Sequence, residues 1–378
     1  MYLSKLGLTD VRNHQATQLT LGPGPVVVSG ANAQGKTNLV EAIHYLGVGS
    51  SHRTSNDRAL IRQSAERALI RAEAVTDAQA RLVVTVELNP GKNRAAVNDV
   101  VVPSMGEAIG LIRMVMLAPE DIALVRGEPN DRRRFLDQLL GSRRASYKGV
   151  LADADKALRQ RNALLKDARG QAIDEDVLAA YTETWLHHAA LVTAARIAGV
   201  NALAAPLIEA YGDLVSASPS QDVHRLPTLD YVMATGERIT AHSDAALPSA
   251  RDIQDQLQAA LMQKADDERR RGVTLVGPQR DDLFIRLGEL PAKDFASHGE
   301  LWSLALGLKL ATVGIIAETG DQPILILDDV FAELDQYRAE RLAQRCVDFD
   351  QVIMTVATGT PVPVDAPTIM IEGGQVLL

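Results

Sequence analysis

Gly30-Ala31-Asn32-Ala33-Gln34-Gly35-Lys36-Thr37 is a complete G-x-x-x-x-G-K-T, and its neighbours decide how it is read. Upstream, Pro25-Val26-Val27-Val28-Ser29 is a short β-branched run with the character of a buried strand. Downstream of Asn38, apolar residues return at Leu39, Ala42/Ile43 and Leu46, the spacing of a helix. Strand, glycine loop and helix N-terminus together make a cradle whose backbone N–H groups wrap phosphates. In that cradle Gly30, Asn32, Ala33, Gly35 and Asn38 shape the loop, Lys36 reaches the β/γ oxygens, and Thr37 holds Mg²⁺. A glycine-rich turn with a chance GKT is the plain alternative, and the flanking strand and helix disfavour it. The stretch is a nucleotide site.

The rest of the chain bounds what that site serves. At 378 residues there is room for two domains and a sizeable core. A single cysteine, Cys346, permits no intrachain disulfide and fits a reducing cytoplasm; it reads as a small buried helix residue. The opening residues Met1-Tyr2-Leu3-Ser4-Lys5 do not read as a signal peptide, and no stretch is expected to reach the apolar length of a membrane span. A net charge of −9 restricts any polyanion contact to a local patch.

Around the loop, alternation over Tyr2–Leu8, Leu19–Leu21, Arg67–Ala72, Arg81–Leu88 and Ala95–Val102 predicts an antiparallel sheet attached to the nucleotide core. Met114–Leu117 is a further buried strand. Past Gly127 the pattern turns helical, beginning with a helix capped by Asn130 or Asp131. Leu151, Ala154, Leu158 and Leu165 form one stripe, broken by Arg161; Leu178, Tyr181, Trp185, His188, Val192 and Ala195 form a second. Two long antiparallel helices follow from these stripes, making an arm. Residues 216–250 read as a surface loop with one possible strand at Leu229–Met233, and Arg251–Arg271 as a helix.

Ile324-Leu325-Ile326-Leu327-Asp328-Asp329 supplies the second half of the site. A buried strand ending in acids delivers Asp328 beside the Mg²⁺ ligand Thr37, and Asp329 to the attacking water. The two halves lie about 290 residues apart, which points to an ATPase head split by an inserted arm. Ser297-His298-Gly299 opens a helix expected to be strongly amphipathic through Leu304, Leu308, Ala311 and Ile315. Such an N-terminus either serves the ATP of a second copy or is a plain N-cap on a core helix. Between Arg132 and Arg169, eleven basic residues face four acidic ones, a patch suited to phosphate backbones or simply a solvated helix face.

Together these motifs resemble the ABC-type P-loop ATPase heads of SMC-like DNA repair proteins, most closely the RecF family. The resemblance rests on Leu8–His14, Gly30–Leu46, Ser51–Thr54, Ala118–Ile122, Asp131–Asp137, Val276–Asp282 and Asp328–Asp335, and so spans nearly the whole chain. It implies an α/β head (1–118 and 273–378) with an inserted α-helical arm (119–272), binding ATP and Mg²⁺ and hydrolysing ATP weakly in a DNA-dependent way. It further implies an ATP-dependent homodimer on double-stranded DNA near single-strand gap junctions, acting with RecR and RecO to load RecA. Ser297, Gly299 and Glu300 take the place of the signature motif acting in trans, and Asp335 that of the D-loop. Arg12 and Asn13 fall near the nucleotide, and Glu120 falls where relatives carry a Q-loop glutamine. The DNA contacts are expected at Arg132, Arg133, Arg143, Arg144 and Lys148.

Three departures accompany the match: Glu300 in place of the usual signature glutamine, no switch histidine after Val356, and Asp329 where transporter ATPases have glutamate. An ATP-binding subunit of a membrane transporter is the alternative function.

Overall fold

The computed structural model describes residues 1–54, 56–167, 174–216, 225–242 and 245–377. Its contacts divide the chain into two compact units. One comprises Met1–Asp121, Ala210–His224 and His298–Leu378; the other comprises Ile122–Glu209 and Arg225–Ser297. Residues 273–297 thus fall in the second unit, whereas the sequence reading assigned them to the head.

The first unit contains two six-stranded sheets. One is antiparallel, in the order His14–Thr20, Tyr2–Val11, Ala68–Val75, Arg81–Leu88, Arg94–Val97, Val100–Val101. The other is mainly parallel, with the phosphate-loop strand Gly24–Gly30 between Thr368–Glu372 and Gln351–Ala357, followed by Ile324–Asp328 and Met114–Leu117. The phosphate-loop helix, Lys36–Val48, is buried on nearly all sides. Its Leu39, Ile43 and Leu46 join one core cluster with Leu6, Ile70 and Val86 of the antiparallel sheet and Val28, Ile326 and Ile353 of the parallel sheet. Each such side chain contributes about 1.5–3 kcal/mol on burial. The helix is therefore fixed from two sides, and so is the loop at its N-terminus.

The helix His298–Ala317 departs from its expected amphipathic character, for fifteen of its twenty residues are buried. Its polar Ser303 and Thr312 satisfy themselves on the helix, donating to the Gly299 and Leu308 carbonyls at 2.9 Å each. This helix and Glu175–Val215 are, by length and composition, long and apolar enough to cross a membrane, which corrects the sequence expectation. In His298–Ala317, 83% of the apolar window is buried inside the fold, so its apolarity belongs to the core.

The second unit is not wholly helical. With the helices Pro129–Arg143, Ala145–Asp167 and Ala250–Arg271 it carries a four-stranded antiparallel sheet, ordered Arg238–Thr240, Pro227–Val232, Asp282–Leu287, Leu290–Pro291. The strand expected at Leu229–Met233 is present as Pro227–Val232, and with Arg238–Thr240 it makes a hairpin within the expected loop at 216–250; residues 217–224, 243 and 244 lie outside the described set. The first helix begins earlier than expected. Glu128 is its N-cap, Pro129 stands at N1, and Asp131 closes a capping box from N3. Arg161 does not break the helical seam but lies within it: the buried face is Tyr147, Ala154, Ala157, Arg161 and Leu165.

Candidate nucleotide-binding site

The phosphate loop bounds a cavity of about 480 Å³ lined by Asn32, Ala33, Gly35, Lys36, Thr37, Asn38, Arg53 and Asp329. Gly35 has φ +112°, and a Cβ there would lie 2.7 Å from the Asn13 side chain. Only glycine fits that position. The loop rests on the hairpin turn beneath it. Asn13 Nδ2 donates to the Gln34 carbonyl at 3.1 Å, and Asn38 Nδ2 donates to Asn13 Oδ1 at 2.8 Å. His14, wholly buried, places Nε2 3.0 Å from the Gly35 carbonyl, and burial lowers its pKa against the pull of the Gly35 and Gly374 carbonyls. Lys36 is only 4% exposed and its Nζ donates to the Gly30 and Ala31 carbonyls at 2.9 and 3.2 Å.

Opposite Lys36 stands the acidic end of the parallel sheet. Asp328 is buried and accepts hydrogen bonds from Thr37 Oγ1 at 3.4 Å and Thr355 Oγ1 at 2.5 Å. Burial pushes its carboxyl up to about 6; the Thr355 bond opposes the shift, and the charges of Asp329 and Glu120 add to it. Glu120 is therefore part of the same acidic neighbourhood. Asp329 turns out of the strand with φ +51°, a left-handed conformation that aspartate tolerates better than most residues. Its N–H is held by Thr355 Oγ1 at 3.0 Å, and burial raises its carboxyl while Lys36 pulls it down. A threonine hydroxyl and a carboxylate are hard oxygen donors, which fit Mg²⁺ beside phosphates.

On the phosphate-loop helix itself, Glu41 is fully buried and receives a bidentate pair from Arg12, Nε at 2.9 Å and Nη2 at 2.7 Å. Burial pushes the Glu41 carboxyl up, but hydrogen bonds from Arg12 and Ser51, with the charges of Arg12 and Arg53, hold it below the usual range. Arg12 is thus turned to Glu41, while Arg53 takes a place on the cavity wall. Arg53 Nη1 donates to Asn38 Oδ1 at 3.0 Å and lies 3.8 Å from Glu41. Sequence reasoning gave Arg53 no role. Its only signal was membership of the Ser51–Thr54 stretch.

Ser297 is exposed just ahead of its helix, Gly299 is half-buried, and Glu300 is buried in the first turn. Asp335 caps the helix Gln336–Cys346, accepting from the Arg338 N–H at 2.9 Å, and its carboxylate pairs with the Arg338 guanidinium. Gly299 and Asp335 both lie against Arg338, and none of the four lines the cavity.

The basic patch contracts in the structure. Arg132 is 5% exposed and spends its guanidinium on Asp282, at 2.7 and 2.9 Å; it is an internal tie, not a surface charge. Arg161 is likewise buried, against Glu268 at 2.7 Å. Arg133 is half-buried, donates to the Asp281 carbonyl at 2.8 Å, and has its pKa lowered by burial. Arg143 and Lys148 are half-buried, whereas Arg134, Arg144, Lys156, Arg159 and Lys166 are exposed; Arg169 lies outside the described residues.

Comparison with known proteins bears on this geometry. The RecF/RecN/SMC N-terminal domain family matches residues 2–360. The DNA replication and repair protein RecF of Streptomyces avermitilis is 42% identical over 370 residues, 96% of this chain and 95% of that protein. The RecF of Kineococcus radiotolerans is 42% identical over 374 residues, 96% of this chain and 94% of its own length. Among solved structures, the recombination mediator protein RecF with ATPrS in the RecFOR pathway superposes with a TM-score of 0.88 at 26% identity, covering 99% of this chain and 97% of that one. An Smc head bound to the C-terminal winged-helix domain of ScpA, at 14% identity and a TM-score of 0.55, shares the fold.

Proposed function

The chain belongs to the RecF family of SMC-like ABC ATPases, proteins of DNA replication and repair, and from that premise we propose that it is an ATP-gated clamp on double-stranded DNA. The supporting observation is the separation of two half-sites. The phosphate loop and Asp329 line one cavity, while Gly299, Ser303, Arg338 and Asp335 form a second cluster that lines no part of it. A second copy of the chain is the natural source of the missing half.

In this reading Lys36 and the loop amides hold the ATP phosphates, and Thr37 and Asp328 would hold Mg²⁺, which when bound would supply charge neutralisation to the phosphates. Asp329 orients the attacking water and Glu120 supports that side of the site. The Ser297–Glu300 turn of a second copy closes on the same triphosphate, with Asp335 at the seam. Aspartate at 329 is one methylene shorter than the glutamate of transporter ATPases, so hydrolysis is slow and acts as a release timer. Loss of the γ-phosphate separates the heads.

The closed pair grips duplex DNA without reading sequence, through Arg143, Arg144, Lys148 and the neighbouring exposed basic residues. Binding near single-strand gaps, with RecR and RecO as partners and RecA loading as the outcome, extends the RecF assignment in the cytoplasm. A transporter subunit has no support among these relatives.

The test is sedimentation of the full chain with and without ATP, alongside duplex binding by fluorescence anisotropy. The expected result is dimer formation and DNA binding with ATP, both lost in Lys36→Ala. Saturating ATP that leaves the wild-type chain monomeric, with its hold on DNA unchanged, overturns the reading.

A further inference from the structure

We infer that Arg338 is a positioning residue, tying the Asp335 loop of a subunit to the start of its own signature helix so that both meet a second copy as one surface. The inference rests on the two-copy reading above, and it concerns a side chain outside the phosphate cavity.

The geometry is a continuous polar chain across two elements that are far apart in sequence. Asp335 accepts from the backbone N–H of Arg338 at 2.9 Å and pairs through its carboxylate with Nη1. From the same guanidinium, Nε donates to Ser303 Oγ at 2.8 Å. Ser303, itself fully buried, passes the bond on by donating to the Gly299 carbonyl at 2.9 Å. One hydroxyl thus accepts from a cation and donates to the helix carbonyl it must orient. Charge-assisted bonds of this kind are roughly twice as strong as neutral ones.

The guanidinium also lies flat over the helix start. A Cβ on Gly299 would sit 3.1–3.2 Å from Nη1, Cζ and Nη2 of Arg338. A larger residue at 299 would press on the guanidinium and ask it to give by a few tenths of an ångström, so glycine there leaves Arg338 its path to Ser303 within the subunit. The Arg338 side chain is only 11% exposed while its partner Asp335 is 47% exposed, so the anchor is internal and the end it steadies faces outward. Lysine could keep the pair with Asp335 but lacks the planar Nε that serves Ser303.

The experiment compares wild type with Arg338→Met, Arg338→Lys and Ser303→Ala, each checked for an unchanged circular dichroism spectrum. Three quantities are read: affinity of the monomer for a fluorescent ATP analogue, the ATP-dependent dimer dissociation constant, and hydrogen exchange at residues 299–303 without nucleotide. Arg338→Met and Ser303→Ala are expected to keep the nucleotide affinity, to weaken dimerisation about tenfold, and to speed exchange at 299–303; Arg338→Lys falls between them and wild type. Dimerisation at wild-type strength in Arg338→Met, or exchange at 299–303 unchanged, overturns the inference. A parallel loss of monomer nucleotide affinity also overturns it, because that marks a general defect of the head. Wild-type chain that never dimerises with ATP sinks the two-copy reading instead, while the exchange result still decides whether Arg338 fixes the helix start.

Discussion

The two units solve the same problem, holding helices in place, with opposite materials. In the first, the phosphate-loop helix is clamped by hydrocarbon from two sheets, through Leu39, Ile43, Leu46 and their neighbours. In the second, charge runs through the interior. Arg161 reaches Glu268, Thr274 and Thr182; Arg196 takes Asp137 and the Pro278 carbonyl; Arg132 takes Asp282. Asp281, deeply buried with its carboxyl pushed up by burial, is satisfied by Tyr231, Thr193 and the Ala234 N–H. Hydrocarbon tolerates small changes of shape; a buried ion pair tolerates the loss of neither partner.

The sharpest way to break this contrast is to take the Arg161–Glu268 pair apart. Arg161→Met alone strands a buried carboxylate and is expected to destabilise the protein by about 3–5 kcal/mol, measured by urea unfolding. Adding Glu268→Leu should restore most of that loss, since the second change removes the stranded charge. A double variant no better than the single means that the unit depends on this pair for more than charge balance.

In the first unit the corresponding probe is Ile43→Ala. Cavity formation there is expected to cost about 2–4 kcal/mol, with no single compensating change able to recover it. Nucleotide affinity should fall in step, because the loop amides ride on this helix. Unchanged affinity in a destabilised Ile43→Ala protein would separate the cradle from its clamp.

A smaller effect follows from Asp328, one of the few charges that the first unit does bury, beside Lys36 and the Arg12–Glu41 pair. Its carboxyl, raised to about 6, is mainly ionised at pH 7 and gains a proton as the pH falls through that value. On the Mg²⁺ role proposed for it, a protonated Asp328 must first lose its proton, so Mg²⁺-dependent ATP binding should weaken about tenfold per pH unit below that point. Above pH 7 it should level off, and Asp328→Asn should flatten the profile; isothermal titration between pH 5 and 8 reads both.

The smallest expected effect separates surface charge from internal charge in the second unit. Arg144→Ala should reduce the salt slope of duplex binding by about one and leave stability alone. Arg132→Ala should leave the slope alone and lower stability. A change of slope in Arg132→Ala would return that residue to the DNA face.

How much of this could be read from the chain follows the same division. Gly30–Thr37 and Ile324–Asp329 were legible because a phosphate cradle and a buried acidic strand need those residue types in a fixed order. The antiparallel sheet was legible because its strands alternate. The second unit was harder, because period-based reading treats an arginine as an outward residue. Arg161 at a seam position and Arg132 in a basic run both point inward, each fixed by a carboxylate more than 100 residues away. The hairpin at Pro227–Thr240 was half missed because its second strand, Arg238-Ile239-Thr240, carries one apolar residue and so no period. Arg53 escaped for another reason: its place on the cavity wall depends on Glu41 and Asn38, partners that no local spacing announces.

The left-handed turn at Asp329 constrains chemistry through the main chain. Short polar side chains tolerate that conformation, and for longer L-residues it carries a penalty of about 1–2 kcal/mol. On the water-orienting role proposed for Asp329, lengthening its side chain to glutamate would ask the turn itself to adjust, so side-chain reach and loop shape are set together at this corner.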